Sequence, residues 1–226
     1  MAIISNSYYW LRSKTFLLDY LDSLRMQILS SPYLAASQLS ESFAGTKGFS
    51  IVFKNSSISE VERHFPFFQP YLRVALMSAC NAFYLNPLVI EGGSCVEPHV
   101  DCSLSEPGKF MAIPTIVSVL YVQVPPDLQG GELVLQERDR KVGKIQPQTN
   151  TLLYFRGNLT HSVNEVKSSQ ARISLVCEQY NLSKTRLQQI PEFEIQSRAV
   201  QRKYHIEFCL LGLLIPTAKK GGRKRR

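Results

Sequence analysis

Residues 115–136 read TIVSVLYVQVPPDLQGGELVLQ. A run rich in Val, Ile, Thr and Tyr is followed by Pro125-Pro126, then Gly130-Gly131, then a second apolar run. β-Branched and aromatic residues suit a pleated, half-buried surface, and Pro and Gly mark turns. The stretch therefore predicts two strands joined by a tight connection, not a helix. No Gly-rich nucleotide motif surrounds Gly130-Gly131, so they belong to the connection rather than to a phosphate loop.

The same texture extends to both sides. YLNPLVI (84–90), SCVEPHV (94–100), TLLYF (151–155), THSV (160–163) and ARISLVCEQY (171–180) are short runs of this kind, with turn signals at Gly92-Gly93 and Gly157-Asn158. With KYHIEFCLL (203–211), the chain offers about eight strands, which suits a jelly roll of two facing four-stranded sheets. The first third looks helical instead. Leu17, Leu21, Leu24 and Ile28 recur at helical spacing until Ser31-Pro32. Phe49, Ile51 and Phe53 alternate as a strand would. Ser57 and Glu60 form a capping-box pattern, and YLRVALMSACNAF (71–83) predicts a second helix. The expected fold class is mainly β with flanking helices. Residues 1–83 form a helical support region of the same domain, 84–215 form the β core, and 216–226 form a basic, disordered tail.

The formal charge of +8 over 226 residues is a property of that tail. TAKKGGRKRR (217–226) holds six Lys/Arg, and the remainder has 20 basic against 18 acidic residues. The body of the protein is nearly neutral and carries no evident basic face; the tail itself admits a nucleic-acid contact or a nuclear address. Five cysteines without a CxxC argue for reduced thiols in a cytoplasmic protein. The start lacks a basic segment followed by an apolar core, so no signal peptide is expected. FCLLGLLI (208–215) is far shorter than the ~20 residues of a membrane span.

Four histidines are present: His64, His99, His161 and His205. His99-Val100-Asp101, on a strand, would put an imidazole and a carboxylate on one side. Such a pair is a surface accident, a hydrogen-bonded pair or two metal ligands. A second pattern of this kind, His205-Ile206-Glu207, is followed by no further histidine, and His64 and His205 read as structural or exposed. After Asp101 come His161 and then Arg172, each on a later strand. Two imidazoles and a carboxylate leave three metal positions open, the facial triad of Fe(II) oxygenases, whereas zinc more often takes a third His or Cys. A bidentate 2-oxo acid and dioxygen suit those positions. Arg172 and Ser174, two apart, would face the same cavity, and a planar guanidinium matches a carboxylate. Cys102 should point to the opposite face as a packing residue. Tyr121, in an apolar strand, reads by its residues as core.

PHVD (98–101), SVLYVQV followed by GGELVLQ (118–136), IQPQTNTLLYF (145–155), HSVNEV (161–166) and RISL (172–175) together resemble the Fe(II)- and 2-oxoglutarate-dependent dioxygenase superfamily, in its prolyl 4-hydroxylase-like branch. The resemblance implies a double-stranded β-helix with helices packed outside. It implies iron on His99, Asp101 and His161, and 2-oxoglutarate held by Arg172, with Tyr121 and Ser174 reaching the same carboxylate. It further implies dioxygen as co-substrate and ascorbate as a candidate reductant. The substrate would be a prolyl residue in a peptide or protein, or a free amino acid or other small metabolite, with no membrane partner. Asp101 favours hydroxylation, since related halogenases replace that carboxylate by a small residue. The branch frequently has a tyrosine about ten residues before the metal pair; here Val89 and Ile90 occupy that place, and Tyr84 is the nearest. Two other readings use the same residues: a silent β-helix binding domain, and a zinc hydrolase on a cupin-like barrel.

Overall fold

The computed structural model describes residues 3–36, 45–105 and 111–199. Its strands are β1 (Ile3–Ser5), β2 (Tyr9–Ser13), β3 (Ala35–Ala36), β4 (Thr46–Gly48), β5 (Ser50–Lys54), β6 (Ala82–Ile90), β7 (Val96–His99) and β8 (Ile116–Gln123). There follow β9 (Gln129–Gly130), β10 (Leu133–Glu137), β11 (Arg140–Ile145), β12 (Thr151–Arg156), β13 (Thr160–Val163), β14 (Val166–Lys167), β15 (Arg172–Tyr180) and β16 (Phe193–Gln196). The helices are α1 (Leu18–Leu29), α2 (Ile58–His64), α3 (Gln69–Ala75) and the single turn α4 (Lys184–Leu187).

A large antiparallel sheet runs β1-β2-β12-β8-β15-β6-β4-β3, with β5 also paired to β6 and β16 to β5. A smaller one runs β11-β10-β13-β7, and β9 pairs with β14. The large sheet is covered on both faces. On the outer face Leu21, Leu24 and Ile28 of α1 pack with Phe53, Phe83, Leu120, Leu152 and Leu175. On the inner face Leu88, Val117, Val119 and Leu153 meet Leu133, Leu135, Ile145 and Val163 of the small sheet. Burial on both sides explains why β8 reads as a nearly continuous apolar run rather than as an alternating one. Strand β2, between β1 and β12, brings Trp10 onto the outer core, where its ring stacks on Tyr154 with centroids 4.9 Å apart.

The double-sheet core with outer helices is the expected class, but several details differ. The expected four-plus-four sheets are ten- and four-stranded. The first 83 residues are not simply helical; they add β1–β5 to the large sheet. The helix expected over 71–83 stops at Ala75, and its last residues open β6. There the backbone N–H of Met77 donates to Gln179 Oε1 at 2.7 Å, so the turn is held from β15. Ser57 stands at the start of α2 but makes no cap bond; its hydroxyl donates to Glu192 at 3.4 Å, and the capping box is not formed. The expected strand at 203–211 and the basic tail lie outside the described residues. Cys80, Cys95, Cys102 and Cys177 are free thiols, and no helix among the described residues is long and apolar enough to cross a membrane.

Asn150 fixes one corner. It adopts φ +65°, a left-handed conformation that Asn tolerates. Its side chain accepts from the Phe16 N–H at 2.8 Å and donates to the Phe16 carbonyl at 2.7 Å, while its own N–H donates to the Tyr121 carbonyl at 2.8 Å.

Candidate active site

The two histidines come from paired strands. His161 on β13 lies directly across from His99 at the end of β7. Their rings are 4.3 Å apart, and Phe155 lies 4.9 Å from the ring of His161. The pairing shifts by one residue between His161 and Val163, so β7 bulges around Glu97-Pro98. Proline supplies no ladder donor, and a bulge of this kind re-aims the side chains beside it. The strand ends at His99, so Asp101 is placed by the irregular segment after it rather than by strand alternation. That break also overturns the expectation for Cys102, which is exposed and lines the cavity instead of packing.

His99 Nδ1 lies 2.8 Å from the Glu97 carbonyl, and His161 Nδ1 lies 3.2 Å from the Leu159 carbonyl. A ring nitrogen facing a carbonyl carries a proton, so Nε2 is the atom each ring turns toward Asp101 and the one that would bind a metal once it gives up its own proton. Asp101 Oδ1 is 3.3 Å from His99 Nε2, and Oδ2 is 3.5 Å from His161 Nε2. One ligand atom from each residue lies within 4.8 Å of the others, as a single metal ion requires. Burial alone would raise the Asp101 carboxyl, but the imidazoles of His161 and His99 beside it hold it well below its ordinary range. Burial opposes a charged His99, and Asp101 together with the Glu97 carbonyl outweighs it, so the imidazole is raised.

Beside the triad, a cavity of about 560 Å³ reaches Arg172 and Ser174. Arg172 is 2% exposed. Its Nη1 donates to the Gly131 carbonyl at 2.9 Å, and its Cζ stands 4.8 Å from the centre of the Tyr121 ring. Gly130 and Gly131 both have positive φ, and a Cβ at Gly130 would stand 2.1 Å from the Glu165 carbonyl oxygen. Only glycine allows this turn, which aims a carbonyl at the guanidinium. Pairing between β15 and β8 passes from Ile173↔Gln123 to Ser174↔Tyr121, skipping Val122. That irregularity puts Arg172, Ser174 and Tyr121 together. Tyr121 does not itself line the cavity; it bears on it through Arg172.

Five buried side-chain polar atoms among the described residues lack a hydrogen-bond partner, and four are here: Asp101 Oδ2, Tyr121 Oη, Arg172 Nε and Ser174 Oγ. Native proteins satisfy most such groups, so a cluster of orphans marks a missing ligand. A guanidinium edge and two hydroxyls suit a carboxylate, and two imidazoles with a carboxylate suit a divalent iron. The donor set therefore fits both iron and 2-oxoglutarate.

Sequence reasoning missed the far end of the cavity. Glu178, 4% exposed, lines it together with Tyr84, Asn86 and Ser50. Its carboxylate accepts from the Ser103 N–H at 3.2 Å, from Ser103 Oγ at 2.5 Å and from the Tyr180 hydroxyl. Burial, reinforced by the charge of Asp101, pushes Glu178 up to about 8. The signal was present: Arg172, Ser174, Val176 and Glu178 are spaced by two and share one face of β15. Tyr84 hydrogen-bonds Ser50 in the same region, at 2.5 Å. Val89 instead belongs to the outer core and Ile90 to the inner one.

A double-stranded β-helix here sets two histidines and an aspartate around one point, beside a buried arginine, an arrangement that can hold one metal ion. Residues 82–177 match the model of the 2OG-Fe(II) oxygenase superfamily, the family that the sequence motifs resemble. A search of curated proteins finds no match. Among solved structures the chain is similar to a prolyl-4-hydroxylase of Pseudomonas putida, with TM-score 0.50 and 15% identity over 77% of this chain and 93% of that one. It is also similar to a prolyl hydroxylase of Trichoplax adhaerens in complex with a hypoxia inducible factor peptide fragment, with TM-score 0.51 and 16% identity over 81% and 87%. A third is IDO of Bacillus thuringiensis, with TM-score 0.50 and 10% identity over 77% and 94%. At these identities the likeness is one of fold.

Proposed function

We propose that the protein hydroxylates an unactivated C–H bond, with iron held by His99, Asp101 and His161 and 2-oxoglutarate anchored by Arg172 and Ser174, Tyr121 standing behind Arg172. The observation that carries this reading is the gathering of orphaned buried polar atoms beside the triad. When bound, iron with 2-oxoglutarate supplies the chemistry by which one oxygen atom of O2 enters the C–H bond and the other leaves in succinate, with release of CO2. Arg172 and Ser174 orient the co-substrate by its distal carboxylate. The Glu97 and Leu159 carbonyls hold the imidazole tautomers. Leu133, Val119, Phe155 and Val163 line the cavity and keep water from the reacting carbon.

A prolyl residue in a peptide is the first substrate class to try, because a relative of the same fold is described with a peptide bound. A free amino acid or small metabolite is the second, and the cavity's far wall favours it, as developed below. Ascorbate would keep the iron ferrous. The free thiols support a reducing, cytoplasmic compartment. Addition of 2-oxoglutarate to anaerobic Fe(II)-loaded protein should produce a weak visible charge-transfer band. Its absence in folded, iron-loaded protein refutes the assignment.

A further inference from the structure

We infer that Glu178 recognises a cationic nitrogen on the substrate, so that the C–H bond oxidised at the metal belongs to an amine- or guanidine-bearing molecule. The inference rests on the oxygenase reading above for the place of the reacting carbon. Arg172, Ser174, Val176 and Glu178 all line the cavity from one face of β15. A strand rises about 3.3 Å per residue, so Glu178 stands about 20 Å along it from Arg172. The Arg172 end is taken by the co-substrate; the Glu178 end is the part left for the substrate.

The charged groups of the cavity divide accordingly. Asp101 belongs to the metal and Arg172 to 2-oxoglutarate, and Arg198 is exposed to solvent. Glu178 is the remaining buried acid that lines the cavity. All three of its donors are neutral, and among the described residues no Lys, Arg or His forms an ion pair with it. A carboxylate offers about four acceptor positions, of which three are filled. A buried carboxylate without a cation is unfavourable and keeps its proton, and an arriving ammonium or guanidinium takes that proton's place through a charge-assisted bond as the proton leaves to solvent. Ser50, Asn86 and Tyr84 make the surrounding wall polar, as a hydrated head group needs. A prolyl residue inside a peptide has neither charge nor N–H to offer. The cation comes instead from a free amino acid, or from a Lys or Arg beside the reacting residue of a peptide.

The test is isothermal titration calorimetry on anaerobic protein loaded with Fe(II) and 2-oxoglutarate. The probes are the common L-amino acids, their N-acetyl forms, and N-acetylated proline tripeptides with Lys, Arg or Ala beside the proline. A cationic probe should bind, and its partner lacking the cation should bind about tenfold or more weakly. Binding of free amino acids alone places the cation on a small metabolite, and binding of Lys or Arg tripeptides alone places it on a peptide. Glu178→Gln should abolish the preference and leave 2-oxoglutarate affinity unchanged. Should that variant not fold, Glu178→Asp, which keeps the charge but shortens its reach, replaces it. The inference is overturned if probes lacking the cation bind as tightly, if no cationic probe binds, or if Glu178→Gln weakens 2-oxoglutarate as much as the amine. The last outcome would mean that Glu178 only ties down the segment after Asp101. A missing charge-transfer band with intact amine selectivity would instead sink the oxygenase reading alone.

Discussion

The two faces of the large sheet are made of similar strands and hold different things. The outer face meets α1, α2 and α3 through Leu24, Phe53, Phe68 and Phe83, all fully buried, and packs as a dry core. The inner face meets the small sheet over a cavity and holds three of the orphaned polar atoms, on Tyr121, Arg172 and Ser174. One face gains stability from close packing, and the other forgoes it to keep polar groups dry and unpaired. Stability and ligand binding should therefore separate by face.

The sharpest break in that contrast comes from His99→Ala. Removing one of three ligands should abolish Fe(II) or Co(II) retention in equilibrium dialysis while leaving the denaturant midpoint close to wild type. On the other face, Phe53→Ala should cost about 3–5 kcal/mol of stability in urea titrations, because a buried ring leaves a cavity. The folded fraction should still bind 2-oxoglutarate, and loss of that binding before unfolding would show the faces to be coupled. Arg172→Ala should weaken 2-oxoglutarate about ten- to a hundred-fold, the value of a charged hydrogen-bonded pair. Its stability should change far less than that of Phe53→Ala, since the guanidinium is buried with Nε unpaired. Ser174→Ala is the smallest case. It removes one neutral hydroxyl and should weaken 2-oxoglutarate by about 1 kcal/mol, with melting temperature unchanged.

What the sequence disclosed follows the same division. The inner strands were legible because Pro, Gly and Asn bound short β-branched runs, and β13 starts and ends where THSV does. The triad and Arg172 were legible through their order along the chain. Other elements hid for physical reasons. Arg140–Ile145 is an edge strand with exposed Arg140 and Lys141, and charge on an edge masks the β pattern. Met77–Asn81 continues an apolar spacing that suits a helix, but the pairing of β6 with β15 wins over local propensity. Asp101 was expected to face the metal by strand alternation; it is there because the chain leaves the strand at His99. Glu178 went unnoticed because one acid in ARISLVCEQY looks like a solvent-facing residue until both faces of β15 are known to be covered.

The protein has a single tryptophan. Trp10 stacks on Tyr154, whose hydroxyl donates to the Ala75 carbonyl at the end of α3. Both rings are on the helical side of the sheet, away from the cavity. The chain thus carries one optical reporter, tuned to the join between β2 and the helices and on the opposite face of the sheet from the cavity. Emission from Trp10 should follow unfolding of the outer core and stay silent when ligand fills the cavity, so one spectrum can count folded molecules while another counts loaded ones.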